Sequence, residues 1–152
     1  SQDEEEGKFS RKKTTEAVDR NWLVRFIVDT DVIIDHLRGV EKAKEFLRRF
    51  EKKESNGFYS TITEAEIFSG KRMDSLDEQR KVGRLLGLME KVNVDSRIVR
   101  KAGEIRRKYE VALPDAIIAA TAVIKGAKIA TRNAKHYESI RGIILEDVDY
   151  LS

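Results

Sequence analysis

The sequence predicts an α/β fold in which a central, mostly parallel sheet of four or five strands lies between two layers of helices. Short apolar runs rich in β-branched residues alternate along the chain with longer segments whose apolar residues recur at helical spacing. Strands that alternate with helices are joined by crossover connections, and crossovers make neighbouring strands parallel. With 152 residues, the chain is long enough for one domain with a full core.

The composition excludes several classes of protein. The chain contains no cysteine, so it has neither a disulfide framework nor a thiolate zinc site. No apolar run approaches membrane-spanning length and the first residues are polar, which predicts a cytoplasmic protein without a membrane partner. The formal net charge of +3 is too small to indicate nucleic-acid binding by itself.

The chain is expected to divide into a charged extension and one folded domain. Residues 1–20 are almost entirely polar, with acidic residues followed by basic ones, and they lack the apolar side chains that a core needs. We therefore expect a flexible extension over 1–20 and a single domain over 21–152. Neither an internal repeat nor a low-complexity linker subdivides the sequence of that domain.

The first half of the domain begins with a β-branched and aromatic run at Arg25–Val28, which predicts a buried strand. A short helix is expected directly after it. Apolar residues at helical spacing then predict an amphipathic helix from Val40 to about Lys53. The next strand is expected at Phe58–Ile62, and Thr63 is expected to cap the helix that follows.

The second half of the domain is predicted to contain three more helices, indicated by apolar spacing and by Gly or Pro near their ends. These helices are expected at about Ser75–Glu90, Ile98–Tyr109 and Asp115–Lys125. Three further strands are expected at 92–94, Lys128–Thr131 and Ile143–Leu145. A short helix or turn is expected at 133–139.

Acidic and polar side chains lie near the ends of the predicted strands. The set comprises Asp29 after the first strand, Glu64 and Glu66 after the second, Asn133 after the fourth, and Asp115 on the helix before the fourth. The carboxyl ends of parallel strands open at one edge of a sheet, so we expect these side chains to gather there. Converging carboxylates are usually neutralised by a divalent cation, and an all-oxygen ligand set favours Mg2+ or Mn2+ over zinc.

Each of these residues also has an ordinary structural interpretation. Asp29 could cap the following helix, and Asp115 beside Pro114 could be a favourable charge in a first helical turn. Glu66 could be solvated, and Asn133 could be a turn residue. Because all of these residues are expected at one edge of the sheet, their joint placement favours a functional site over a separate structural role for each residue.

Four motifs occur in a fixed order: FIVDTDVIID at 26–35, STITEAEIFSG at 60–70, LPDAIIAA at 113–120 and TRNAKHY at 131–137. Together they resemble the motifs of PIN-domain ribonucleases, most closely those of the VapC-type toxins of prokaryotic toxin–antitoxin pairs. The resemblance covers about 25–147. It implies a three-layer PIN-like nuclease domain over 21–152, and a metal-dependent endoribonuclease that hydrolyses RNA phosphodiester bonds as the toxin of such a pair.

The resemblance also implies roles for individual residues. It assigns catalytic positions to Asp29, Glu66, Asp115 and Asn133. Of these, the three carboxylates would hold a Mg2+ (or Mn2+) ion. It assigns supporting positions to Thr30, Thr131 and Arg38. The family often carries Asp at the fourth catalytic position, so the amide present here implies a weaker second metal site.

Other polar residues near these positions are expected to lie outside the catalytic set. Glu64 is two residues from Glu66, which is about 200° around a helix, so it should face elsewhere. Asp31 is expected to be structural. His36 and His136 are expected to be bystanders, because metal-activated water needs no imidazole.

The resemblance implies three partners: an RNA substrate, an antitoxin protein that covers the crevice, and a second copy of the chain in a homodimer. Two alternatives share the fold, namely a housekeeping RNA-processing PIN nuclease and a catalytically inactive PIN-fold module for nucleic-acid binding or scaffolding. The segment Asp29-Thr30-Asp31 also resembles the opening of haloacid-dehalogenase-like phosphatases, although that fold needs a longer chain and a downstream lysine motif. A receiver-like phosphoacceptor domain would need an acidic pair ahead of its key Asp.

Overall fold

The computed structural model of the chain describes residues 23–148. The extension expected over 1–20 lies outside the described residues. Within the described range, five strands form one sheet, and six α-helices and two short 3-10 helices surround it. The α/β class that the sequence predicts is confirmed.

The sheet is parallel throughout, with the strand order β3-β2-β1-β4-β5. Its strands are β1 (Arg25–Val28), β2 (Asn56–Ser60), β3 (Glu90–Val92), β4 (Lys128–Thr131) and β5 (Leu145–Asp147). The central strand β1 pairs with β2 on one side and β4 on the other, so that Phe26 is opposite both Gly57 and Lys128. The carboxyl ends of β1, β2 and β4 therefore lie side by side at one edge.

The α-helices provide both outer layers. They are α1 (Thr30–Leu37), α2 (Glu41–Glu51), α3 (Thr61–Phe68), α4 (Leu76–Leu86), α5 (Ser96–Tyr109) and α6 (Leu113–Lys125). The 3-10 helices lie at Lys71–Asp74 and Ala134–His136. Among the helices within 23–148, none combines the length and the apolar character that crossing a bilayer requires.

Two hydrophobic clusters lie on opposite faces of the sheet. Successive residues of a strand point to opposite faces. Accordingly, Phe26 and Val28 join the cluster beneath α1, α2 and α4, whereas Ile27 joins the cluster beneath α5 and α6. In the first cluster Phe46 packs edge-to-face on Phe26, with ring centroids 5.5 Å apart, and on Phe50 at 5.8 Å. This arrangement confirms the three layers that the sequence predicts.

The second strand begins and ends two residues earlier than predicted. Gly57 belongs to β2 because its lack of a side chain lets Phe50 and Met89 pack against the strand: an added Cβ would lie 2.8 Å from Met89 Cγ. The predicted helix cap at Thr63 is wrong. Ser60 caps α3 by accepting a hydrogen bond from the amide of Ile62, and Thr63 is buried inside the helix.

The last strand begins later than predicted. The sequence predicts it at Ile143–Leu145, but β5 covers Leu145–Asp147, with Leu145 paired to Ile129 of β4. Ile144 is exposed, so part of the apolar run that suggested the strand lies ahead of it on the surface. An apolar run predicts burial of a segment, whereas pairing with the neighbouring strand decides the register.

Candidate active site

Asp29 lies at the end of β1 and is the N-cap of α1, where its Oδ1 accepts a hydrogen bond from the amide of Thr30 at 2.9 Å. Its own amide donates to the carbonyl of Ala130 in β4, which continues the strand pairing by one residue. Its Oδ2 accepts from Thr131 Oγ1 at 3.0 Å and from Tyr137 Oη at 2.8 Å. Four hydrogen bonds from two neighbouring strands and their loops thus fix this residue.

Glu66 approaches from the second turn of α3. Its Oε1 accepts a hydrogen bond from Thr30 Oγ1 at 2.5 Å, and Thr30 Oγ1 lies 3.0 Å from the hydroxyl of Thr63. The Glu66 side chain is otherwise exposed. Glu64 pairs with Lys91 of β3 at 3.0 Å, which confirms that the two glutamates of α3 face different neighbours.

Asp115 lies in the first turn of α6, where Pro114 needs no amide partner. Its Oδ1 is 3.4 Å from Tyr137 Oη, so one tyrosine hydroxyl lies between Asp29 and Asp115. His136 Nδ1 is 3.6 Å from Asp115 Oδ2. The 3-10 turn after β4 therefore brings His136 back over α6, next to one of the acids, and the expectation that it takes no part in catalysis stays a prediction.

Asp31 holds the segment that follows β4. Its Oδ2 accepts from the backbone amide of Arg132 at 3.1 Å and from Asn133 Nδ2 at 2.9 Å. The other oxygen, Oδ1, is buried and has no hydrogen-bond partner among the described residues. These contacts support a structural role for Asp31. They also show that the side-chain amide of Asn133 donates to a residue of α1.

Arg38, predicted to be a supporting residue, and His36, predicted to be a bystander, lie at the far end of α1. Arg38 is the C-cap residue of that helix and is exposed. The eight residues of α1 separate it from Asp29. At about 1.5 Å per residue step, the two lie about 13 Å apart along the helix axis. His36 is also near this end, and burial, together with the charges of Lys44 and Arg48, lowers its pKa. The structure therefore brings neither residue into contact with the acids.

We name Asp29, Asp31, Glu66 and Asp115 the acidic cluster, because their charges act on one another. Burial raises the pKa of Asp31 from 3.8 to about 6, and the charge of Asp29 contributes to this shift. Burial also raises the pKa of Asp115; His136 opposes the shift, whereas Asp29 and Glu66 add to it. Burial is the largest cause of both shifts, and repulsion between the acids adds to it.

Tyr137 is the residue of this site that sequence reasoning missed. Its side chain is only 1% exposed, and its ring belongs to the hydrophobic cluster under α5 and α6. Burial, then the charges of Asp29 and Asp115, raises the pKa of the hydroxyl far above its usual range, so the group stays protonated and donates a hydrogen bond to Asp29. The available signal was an aromatic hydroxyl six residues beyond the end of a strand, which is easily taken for a core residue.

The oxygen atoms of the acidic cluster suit a hard divalent cation. Within residues 23–148, no three acidic or histidine side chains stand close enough together to form a complete ion-binding group. Magnesium is commonly held by only one or two carboxylates, with water and substrate phosphate completing its shell. The arrangement can therefore bind a cation through a pair of carboxylates and present it to an anionic substrate.

Comparison with known proteins places these features in context. A family model described as the PIN domain matches residues 26–141. Ribonuclease VapC10 from Mycobacterium tuberculosis is 35% identical over 116 residues, which make up 73% of this chain and 84% of that protein. The matched range of the family model contains the whole acidic cluster, Tyr137 and Asn133.

Two solved structures resemble the fold over most of its length. A toxin–antitoxin complex from Klebsiella pneumoniae matches with a TM-score of 0.66 and 29% identity, covering 80% of this chain and 95% of that chain. A DNA-bound VapBC from Salmonella typhimurium matches with a TM-score of 0.70 and 27% identity, covering 83% of this chain and 99% of that chain. Both comparisons cover at least 80% of this chain and therefore extend well beyond the site.

Proposed function

The chain belongs to the PIN-domain family, and we propose that it is a metal-dependent endoribonuclease that hydrolyses RNA phosphodiester bonds. One observation carries the proposal. The hydroxyl of Tyr137 lies between Asp29 and Asp115. The hydroxyl of Thr30, the residue that follows Asp29, donates to Glu66. Asp29 at the end of β1, Glu66 of α3 and Asp115 of α6 therefore lie near one another at the carboxyl edge of the sheet, where parallel α/β proteins bind ligands.

The residues present fit a divalent cation. The acidic cluster contains only oxygen donors, one of its carboxylate oxygens is buried and unpaired within the described residues, and the pKa values of Asp31 and Asp115 are raised. A divalent cation would relieve this repulsion. We assign its ligands to Asp29, Glu66 and Asp115, with water and substrate phosphate completing the shell, because these carboxylates do not by themselves form a complete ion-binding group in the described residues. We take Mg2+ or Mn2+ as the ion because these cations prefer carboxylate and phosphate oxygens.

The cation would neutralise charge that develops on the scissile phosphate and make water more acidic. The chain itself supplies orientation. Thr131 and Tyr137 hold one oxygen of Asp29, and Thr30 holds one oxygen of Glu66, so these carboxylates are aligned before substrate arrives. Asn133 is the fourth polar residue at this edge, and its position depends on Asp31. Arg38, at the far end of α1, is kept as a supporting residue that contacts more distant parts of the RNA.

We also propose that the chain is the toxin of a toxin–antitoxin pair. The support is the named relative, Ribonuclease VapC10, and two structural neighbours above 25% identity that come from toxin–antitoxin assemblies. An antitoxin that covers the acidic cluster would block access of RNA. Homodimerisation is part of the same proposal. Co-expression with the product of an adjacent small gene, followed by co-purification and relief of growth arrest, tests it; a chain that is harmless when expressed alone would contradict it.

The nuclease proposal is tested by cleavage of a labelled RNA in Mg2+ or Mn2+. Asp29→Asn, Glu66→Gln and Asp115→Asn are each expected to lower the rate by at least about 100-fold, because each removes a charged ligand. Glu64→Gln is the matched control, since it changes the other glutamate of α3, which pairs with Lys91. Full activity of Asp29→Asn, or cleavage that persists in excess chelator, would contradict the proposal.

A further inference from the structure

The two oxygens of Asp29 are not equivalent. Among the described residues, Oδ2 accepts hydrogen bonds from Thr131 Oγ1 and Tyr137 Oη, whereas Oδ1 accepts only one, from the amide of Thr30. A carboxylate oxygen offers two lone-pair positions. Both positions of Oδ2 are therefore occupied, and Oδ1 keeps one that is open.

The position of the Tyr137 hydroxyl is itself fixed by the fold. The ring is buried, and the backbone on both sides is closed into turns, with the Tyr137 amide donating to Ala134 and its carbonyl accepting from Ile140. The hydroxyl has a single proton. The shorter distance, 2.8 Å against 3.4 Å, directs that proton to Asp29 and leaves Asp115 as the second neighbour.

We propose that Tyr137 is a positioning residue that occupies Oδ2 of Asp29 and thereby reserves Oδ1 for the divalent cation. The proposal rests on the metal-dependent function proposed above. It adds how Asp29, a ligand of the cation, is oriented. The terminal torsion of an Asp side chain is soft, so without this donor the plane of the carboxylate would be held less firmly. Ordering the carboxylate in advance lowers the entropy that metal binding costs.

The same hydroxyl sets the spacing of Asp29 and Asp115. Asp29 Oδ2 and Asp115 Oδ1 lie 2.8 Å and 3.4 Å from this hydroxyl, and like charges this close repel each other. The hydroxyl lies between them and donates to Asp29, and because it is neutral it adds no competing charge. Thr131 cannot take the place of Tyr137, because Thr131 Oγ1 lies on the β4 side of Asp29 and also accepts a hydrogen bond from the backbone amide of Asn133.

The test is calorimetric titration of metal-depleted protein with Mn2+. Tyr137→Phe removes one hydroxyl and keeps the buried ring, so the fold is expected to persist. The dissociation constant for Mn2+ should rise about 10- to 100-fold, as is typical when a residue that orients a metal ligand is lost. The electron paramagnetic resonance spectrum of bound Mn2+ should also change, which a purely structural substitution would leave unaltered.

Tyr59→Phe is the matched control. Tyr59 is also a buried tyrosine, at 6% exposure, and the charges that act on its hydroxyl are those of Lys91 and Glu64. This variant should bind Mn2+ with wild-type affinity. Thermal unfolding of both metal-free variants checks that each remains cooperatively folded.

The outcomes separate this inference from the proposed function. Wild-type or tighter Mn2+ binding by Tyr137→Phe, together with lost binding by Asp29→Asn, would overturn the positioning role and leave the metal site standing. Undiminished binding by Asp29→Asn would overturn the metal site and the positioning role with it. Weakened binding by Tyr137→Phe with an unaffected Tyr59→Phe supports the inference.

Discussion

Arg132 Nε lies 2.8 Å from Asp35 Oδ2, in an ion pair that joins the segment after β4 to the middle of α1. The backbone amide of the same Arg132 donates to Asp31 Oδ2. Asp31 and Asp35 are four residues apart and therefore lie on one face of the helix. Asp31 and Asp35 thus bind Arg132, one at its backbone amide and the other at its side chain. These contacts anchor the turn that carries Asn133 and Tyr137.

Breaking this ion pair should destabilise the protein. The Asp35 side chain is only 9% exposed, and Arg132→Met would leave its charge buried without a partner. We expect a loss of about 2–4 kcal/mol in the free energy of unfolding, somewhat below the usual cost for a fully buried pair because Arg132 reaches solvent. Urea denaturation at pH 7 measures it.

The control for that experiment is Arg80→Met, which breaks the exposed pair between Arg80 and Asp77 on α4. Exposed pairs contribute little, so its free energy of unfolding should change by less than about 1 kcal/mol. Equal losses in the two variants would show that the Arg132 pair has no special role.

Asp31 should make the metal-free protein less stable as the pH rises. Its pKa in the folded protein is about 6, against 3.8 for an ordinary Asp, so the folded state keeps a proton that the unfolded state releases between these values. The stabilising contribution is therefore complete below pH 3.8 and is lost as the pH rises through 6. By pH 7.5 the loss amounts to about 2–3 kcal/mol.

Asp31→Asn tests this linkage. The carbonyl of Asn can still accept from the amide of Arg132, while the charge is gone. The variant should be more stable than the wild type at pH 7.5 in chelator, and the advantage should shrink towards pH 4. Thermal unfolding across this range is the measurement, with Asp77→Asn as the exposed control. An equal difference at all pH values would contradict the assignment of the shift to Asp31.

Asn133→Asp should couple metal binding more strongly to stability. The side-chain amide of Asn133 donates to Asp31 Oδ2 at 2.9 Å. A carboxylate at this position would replace that donor with a negative charge next to the negative charge of Asp31. The metal-free melting temperature should fall, and the increase caused by saturating Mn2+ should exceed that of the wild type. Differential scanning fluorimetry with and without Mn2+ measures both quantities.

Asn133→Ala serves as the comparison, because it removes the same donor without adding charge. It should also lower the metal-free melting temperature, but without a larger response to Mn2+. If Asn133→Asp responds to Mn2+ no more than the wild type does, Asn133 lies outside the reach of the cation. Its role is then confined to the turn.

Two glycine substitutions should have opposite effects on stability. Gly57→Ala would place a Cβ 2.8 Å from Met89 Cγ and 2.9 Å from Phe50 Cδ1, so the core must shift. We expect a loss of about 1–3 kcal/mol. Gly103→Ala meets no atom within 4 Å on the exposed side of α5 and should gain about 0.5–1 kcal/mol from helix propensity. Chemical denaturation of both variants measures the contrast, and a stabilising Gly57→Ala would show that the packing around β2 is loose.

Element boundaries show where local sequence information ends. Most helices were placed within a few residues because their apolar stripes are long and periodic. The starts of β2 and β5 were misplaced, since a glycine that suggests a break can also allow close packing, as Gly57 does against Phe50 and Met89. Pairing with a neighbouring strand is a property of two segments, and a single segment does not encode it.

The sequence by itself determined the α/β class, the parallel sheet and the family, because these depend on periodicity and on the order of motifs along the chain. It also pointed to Asp29, Glu66, Asp115 and Asn133 as one group. Only the tertiary structure decided which atoms meet. Asp29 and Tyr137 are 108 residues apart, and their contact depends on β1 and β4 lying side by side. Hydrogen bonds of this kind are decided over a few tenths of an ångström by the packing of the whole domain, so residue type and spacing along the chain do not reveal them.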